Sequence, residues 1–132
     1  MTLFHVAIAD DWEASLPFGS YEAATHGRSL EEEGFIHATT ADGVQHVLDT
    51  SYAGLDMPLL LIALDPGALG VPVQWEPPSS PRILGAIPCT NEDAVVSVTP
   101  LSREGGRWLA PPRPRSLTQE GVEVIRETKW LP

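Results

Sequence analysis

The chain has 132 residues, 42% of them hydrophobic, enough to bury the core of one domain, and a net charge of −10. The charge is lopsided: residues 1–100 hold fourteen acidic residues against two arginines, Arg28 and Arg82, whereas residues 101–132 carry a balance of +2. An acidic body argues against nucleic-acid binding, which needs clustered cations. No apolar run approaches the ~20 residues that span a bilayer, so no membrane role is expected. The lone Cys89 rules out an intramolecular disulfide framework.

In chain order, Leu3 to Ile8 reads as a strand with Phe4, Val6 and Ile8 on one face and Leu3, His5 and Ala7 on the other. No basic stretch followed by an apolar run precedes it, so no signal peptide is expected and the cytoplasm is the predicted compartment. Asp10 has the position of an N-cap for a short helix through Leu16, with Glu13 as capping-box partner; Pro17 and Gly19 end it. A helical turn is predicted over Ser29–Glu33. It leads into Gly34-Phe35-Ile36-His37-Ala38-Thr39-Thr40, a turn, short strand and helix start in which Phe35 and His37 face one way and Ile36 the other.

Thr40 then caps a predicted helix to about Tyr52, with Val44, Val47, Leu48 and Tyr52 on its buried face and Gly54 closing it. Leu59 to Leu64 is continuously apolar, the pattern of a central strand covered on both sides. Asp65-Pro66-Gly67 marks a turn. Strands are predicted over Val71–Glu76, Arg82–Ile87 and Ala94–Val98, the first two separated by the stiff loop Pro77-Pro78-Ser79-Ser80-Pro81. About six strands and two or three short helices, without βαβ alternation, give an α+β fold with a mainly antiparallel sheet. Residues 101–132 read as a proline-rich extension. Its Pro111-Pro112-Arg113-Pro114-Arg115 run suits either a protein partner with an aromatic groove or a spacer that lets Val122–Trp130 pack back on the body.

Phe4-His5-Val6-Ala7, Gly34-Phe35-Ile36-His37-Ala38-Thr39-Thr40, and the Leu59–Asp65 strand followed by Val73-Gln74-Trp75-Glu76 occur in an order and spacing that resemble the bacterial domain-of-unknown-function 952 family over residues 3–100. The resemblance implies an ADP-ribosyltransferase-like fold: two packed antiparallel sheets flanking a cleft that holds NAD in relatives. It places a ribose-binding role on His5, a nicotinamide-side role on His37 and a catalytic role on Glu76. The sequence also departs from the family pattern. Where the family has Phe-Pro-His-Leu-Tyr-Gly, this chain reads Ser80-Pro81-Arg82-Ile83-Leu84-Gly85; a usual glutamine falls at Gly43, and a usual Asn-Arg pair at Asp49 and Thr50.

Each candidate has a structural reading beside the functional one. His5 suits a hydrogen-bonded core histidine as well as a ribose ligand. His37, Thr39 and Thr40 stand at a helix start, where N–H groups and hydroxyls suit a pyrophosphate or carboxylate. Glu76 ends a predicted strand and suits charge stabilisation at an anomeric carbon or plain solvation. Arg82 suits either an anion or a salt bridge to a neighbouring acid. No HxH or HxxxH pair supports a metal site, so no metal is expected. Glu31-Glu32-Glu33 reads as a solvated face.

Two functions follow as expectations. One is a domain lined by His5, His37, Thr39, Thr40, Arg82 and Glu76 that binds NAD or a related ribonucleotide and acts at the N-glycosidic bond. The other is a non-catalytic module that keeps the fold and works through small-molecule or protein contacts.

Overall fold

The computed structural model describes residues 2–25, 28–75 and 81–111. Strand β1 (Leu3–Ile8) runs into helix α1 (Ala9–Ser15) and a 3-10 turn at Leu16–Phe18. Next come β2 (Ala23–Thr25), β3 (Arg28–Ser29), α2 (Leu30–Glu33) and β4 (Ile36–His37). A 3-10 turn at Ala41–Gly43 opens into α3 (Val44–Ser51), followed by β5 (Leu59–Leu64) and a 3-10 turn at Pro66–Ala68. The remaining strands are β6 (Val73–Gln74), β7 (Arg82–Ile83), β8 (Val95–Pro100), β9 (Ser102–Glu104) and β10 (Arg107–Leu109).

One sheet has the order β1-β5-β8 and a second the order β4-β7-β6; β2-β3 and β9-β10 are two-stranded. Every pairing among the described strands is antiparallel, which makes the fold α+β. The apolar run Leu59–Leu64 is the central strand of the first sheet, as its lack of alternation predicts. Leu60, Ile62 and Leu64 join Leu3 and Ala7 in a core shared with Ile36 and Ile83 of the second sheet. Leu59, Leu61 and Ala63 join Phe4, Val6 and Ile8 in another core beneath Val44, Leu48 and Tyr52 of α3. The period of two thus assigns each residue of β1 and β5 to a face.

The helix starts depart from the expectations. Helix α1 begins at Ala9 with Ile8 in the N-cap position and no side-chain cap; Asp10 and Asp11 lie in its first turn, where carboxylates favour the helix dipole. Thr40 stands at the N-cap position of the 3-10 turn, but its side chain makes no capping bond, and the α-helical part starts only at Val44. Gly43 fits this tight entry because a Cβ there would lie 2.1 Å from Thr39 Oγ1. The glutamate run is more than a solvated face: Glu32 completes a capping box with Ser29, and Gly34, at φ 85°, ends α2.

Of the three strands predicted after Asp65, the last is present as β8 (Val95–Pro100), and the first two are shorter than expected among the described residues. The first is ordered as a strand only over Val73–Gln74, and the second over Arg82–Ile83, with Ile87 pairing alone to Tyr21. Residues 102–109 form a hairpin that the sequence reading placed in the extension. Its Gly105 and Gly106 both have positive φ, 60° and 83°, the requirement of a two-residue turn matching strand twist. Trp108 inserts into the α3-side core at 6% exposure and its Nε1–H donates to Leu55 O at 3.1 Å. Gln45 of α3 donates to Trp108 O and accepts from Ala110 N, both at 2.8 Å. Residues 112–132, with the predicted Val122–Trp130 strand, lie outside the described residues.

Replacing Trp108 by alanine is expected to cost roughly 3–5 kcal/mol in urea-induced unfolding, as for other buried Trp truncations. The same change at Trp75, which is 47% exposed, should stay within about 0.5 kcal/mol.

Candidate functional site

The fold separates the two histidines by environment while tying them through the backbone. His5 points into the core between the sheets and is 2% exposed. Its Nδ1–H donates to the carbonyl of His37 at 2.6 Å, which leaves Nε2 to accept from the Tyr21 hydroxyl at 2.9 Å. Burial holds its pKa down at about 4, against the carbonyl bond, which raises it; charge on His37 adds a smaller lowering. The imidazole is therefore neutral near pH 7 with both nitrogens engaged. It braces β4 rather than presenting an atom to a ligand.

Tyr21, the partner of His5, was not among the candidates. It is 2% exposed, packs edge-on against His5 at 5.3 Å and against Trp12 at 5.0 Å, and exchanges backbone hydrogen bonds with Ile87. Burial pushes its hydroxyl pKa up, so it stays a donor. Thr39 is also buried, at 5%, and its backbone exchanges hydrogen bonds with Phe4, both 2.8 Å, which closes β4 against β1.

The side chain of His37 faces the other way. Ile36, Ile83 and Val73 form a row across β4, β7 and β6 on the core side; His37, Arg82 and Gln74 form the neighbouring row on the outer side. His37 is 52% exposed and lies 3.7 Å from the Glu33 carboxylate. Its ring meets the Phe35 ring edge-on at 4.7 Å, and the Arg82 guanidinium lies over that same Phe35 ring, 4.4 Å from its centre. Among the described residues Arg82 forms no ion pair.

The structure therefore brings His37 and Arg82 together on one exposed face and keeps His5 and Thr39 beneath it. Thr40 is half-buried at the start of the 3-10 turn, and Glu76 lies outside the described residues. The departure at Asp49 has a structural use: Arg107 Nε and Nη2 donate to its two oxygens at 3.1 and 2.9 Å, which holds the carboxyl below the usual carboxylate range and fastens the hairpin to α3. A shallow pocket of about 130 Å³ on the α3 side is lined by Phe4, Asp42, Val44 and Pro111 among others, and by none of the candidate residues. Among the described residues no cluster of three or more histidine, cysteine or acidic side chains is placed to hold a metal, and no helix is long and apolar enough to cross a membrane.

Residues 6–98 match the family described as Protein of unknown function (DUF952), more than half of the chain. The chain belongs to that family. No curated protein matches it. Among solved structures it is similar to the X-ray structure of protein CC0527 from Caulobacter crescentus, with 18% identity, a TM-score of 0.69, and coverage of 83% of this chain and 94% of that one. A double mutant of the same protein superposes equally well. At this identity the likeness concerns the fold.

The neutral, buried His5 couples stability to pH. Its folded pKa is depressed below the ordinary 6.5, so the unfolded state binds the proton first as pH falls. The stabilisation is complete above pH 6.5, declines between 6.5 and about 4, and the loss reaches on the order of 3 kcal/mol. In His5→Asn the amide keeps a donor towards the His37 carbonyl but does not titrate. Urea midpoints measured from pH 7 to 4 should fall less steeply for that variant than for wild type, whatever its starting stability.

Proposed function

We propose that this protein binds NAD or a related ribonucleotide on the outer face of β4-β7-β6, in an ADP-ribosyltransferase-like arrangement, and acts at the N-glycosidic bond. The observation that carries the reading is the cross-strand pair His37–Arg82 around the Phe35 ring, which sets an exposed imidazole, a guanidinium and an aromatic surface side by side. These groups suit the sugar, phosphate and base of a nucleotide. His37 lies at the ribose or base, and its carbonyl is fixed from below by His5. Glu76, two residues beyond β6 in sequence, is the carboxylate assigned to charge at the anomeric carbon.

A second reading, a binding module without chemistry, is favoured by a specific observation. Both nitrogens of His5 are engaged inside the protein and Asp49 is committed to Arg107. Fewer polar groups are then left to act on a substrate. This assigns the protein a small-molecule role and leaves bond cleavage to be measured.

Calorimetric titration with NAD, ADP-ribose and nicotinamide tests both readings. Saturable binding of NAD and ADP-ribose is expected, weakened about tenfold in His37→Ala by the loss of one hydrogen-bonding group. The absence of binding at millimolar ligand would sink the nucleotide reading. Release of nicotinamide from NAD by wild type, and its loss in Glu76→Gln, separates the enzyme from the module.

A further inference from the structure

His37 and Arg82 on the outer face are in different situations. His37 Nε2 already faces Glu33 at 3.7 Å, and only 18% of that carboxylate side chain is exposed. Arg82 has no carboxylate against it among the described residues, in a body whose first 100 residues carry fourteen acids. Its guanidinium lies over Phe35, with Cζ 4.4 Å from the ring centre, which holds the planar fork at this face. Gln74 on one flanking strand and His37 on the other pair with Arg82 in register, and Gln74 is exposed. Adjacent strands lie ~4.8 Å apart, so donors from all three positions can converge on one oxyanion. Beside this polar row the face is apolar: Leu84, two residues beyond Arg82, is 40% exposed, and Phe35 is half-buried.

We infer that Arg82 is the primary anchor of this face and that it recognises a phosphate group carried on a planar ring compound, with His37 and Gln74 as flanking donors and the Phe35–Leu84 strip receiving the ring. The inference rests on the nucleotide reading and narrows it. The phosphate, rather than the sugar or base, decides what binds, and nucleoside monophosphates are the smallest complete ligands. Arginine rather than lysine is required, because a planar fork gives two parallel hydrogen bonds to an oxyanion that a point charge does not.

The test compares adenosine, AMP and inorganic phosphate as probes, by ¹H–¹⁵N shift titration of the full chain. For wild type, AMP should bind at least about tenfold tighter than adenosine, the value of one or more charge-assisted hydrogen bonds. Inorganic phosphate should shift the same resonances of β4 and β7 at higher concentration. Arg82→Gln should bring AMP down to the level of adenosine, and Arg82→Lys should recover only part of the difference. Unchanged amide shifts away from the site show that each variant keeps its fold. Equal binding of AMP and adenosine by wild type overturns the phosphate anchor and leaves the nucleotide reading standing. Phosphate binding at Arg82 without any response to AMP or adenosine overturns the nucleotide reading and the ring requirement together. A preference for AMP that survives Arg82→Gln places the anchor elsewhere and overturns the assignment.

Discussion

A neutral imidazole in the middle of the core holds the outer face in place. His5 is carried by an edge strand of the first sheet, and its bond reaches the backbone of the second. Strand β4 has two residues and β7 has two, too few for ladder hydrogen bonds alone to fix their position. Two contacts do that work: the His5–His37 carbonyl bond and the Phe4–Thr39 backbone pair. Tyr21 supplies the other half of the brace, because its hydroxyl bonds His5 while its backbone pairs with Ile87, four residues beyond Ile83 of β7. A fully apolar side chain at position 5 would fill space but leave the His37 carbonyl buried without its partner, at a cost of about 1–3 kcal/mol.

Much of this architecture was legible in the chain, where the physics is local or periodic. Leu3–Ile8 and Leu59–Leu64 declare their faces because a pleated strand gives each residue only two directions. The opening of β4 after Gly34 is legible because that position needs a left-handed backbone, which a residue without Cβ adopts freely. What escaped is of another kind. The Tyr21–His5 bond joins residues sixteen apart, through a loop with no periodic pattern, so nothing in the neighbourhood of either residue announces it. The start of α1 shifted because the chain turns directly out of β1, leaving no extended residue for Asp10 to occupy as a cap. The hairpin of β9 and β10 did carry a signal in Gly105-Gly106. It was obscured because the charged and proline-rich residues around it give the whole of 101–132 the composition of a tail.

That hairpin changes the account of the family departures. A carboxylate at Asp49, where the family pattern has an amide, looks in sequence like the loss of a binding group from α3. In the fold it is the counterpart of Arg107, and Gln45 one turn earlier on α3 completes the clasp by bonding both sides of Trp108 and Ala110. Gln45 and Asp49 of α3 are used to close the protein on itself. Gly43 belongs to the same economy of space, since Thr39 occupies the volume that any side chain there would need.

The anion site proposed at Arg82, on a chain rich in acids, also bears on kinetics. An anion diffusing towards this protein meets a molecule of net charge −10 and is repelled once it comes within about a Debye length, about 8–10 Å in ordinary buffers. Added salt lowers that barrier and quickens encounter, while it weakens the guanidinium contact once formed and quickens departure. The two effects oppose each other in the equilibrium constant. An electrostatic site of this kind can therefore show an affinity nearly indifferent to ionic strength, with exchange rates that are not.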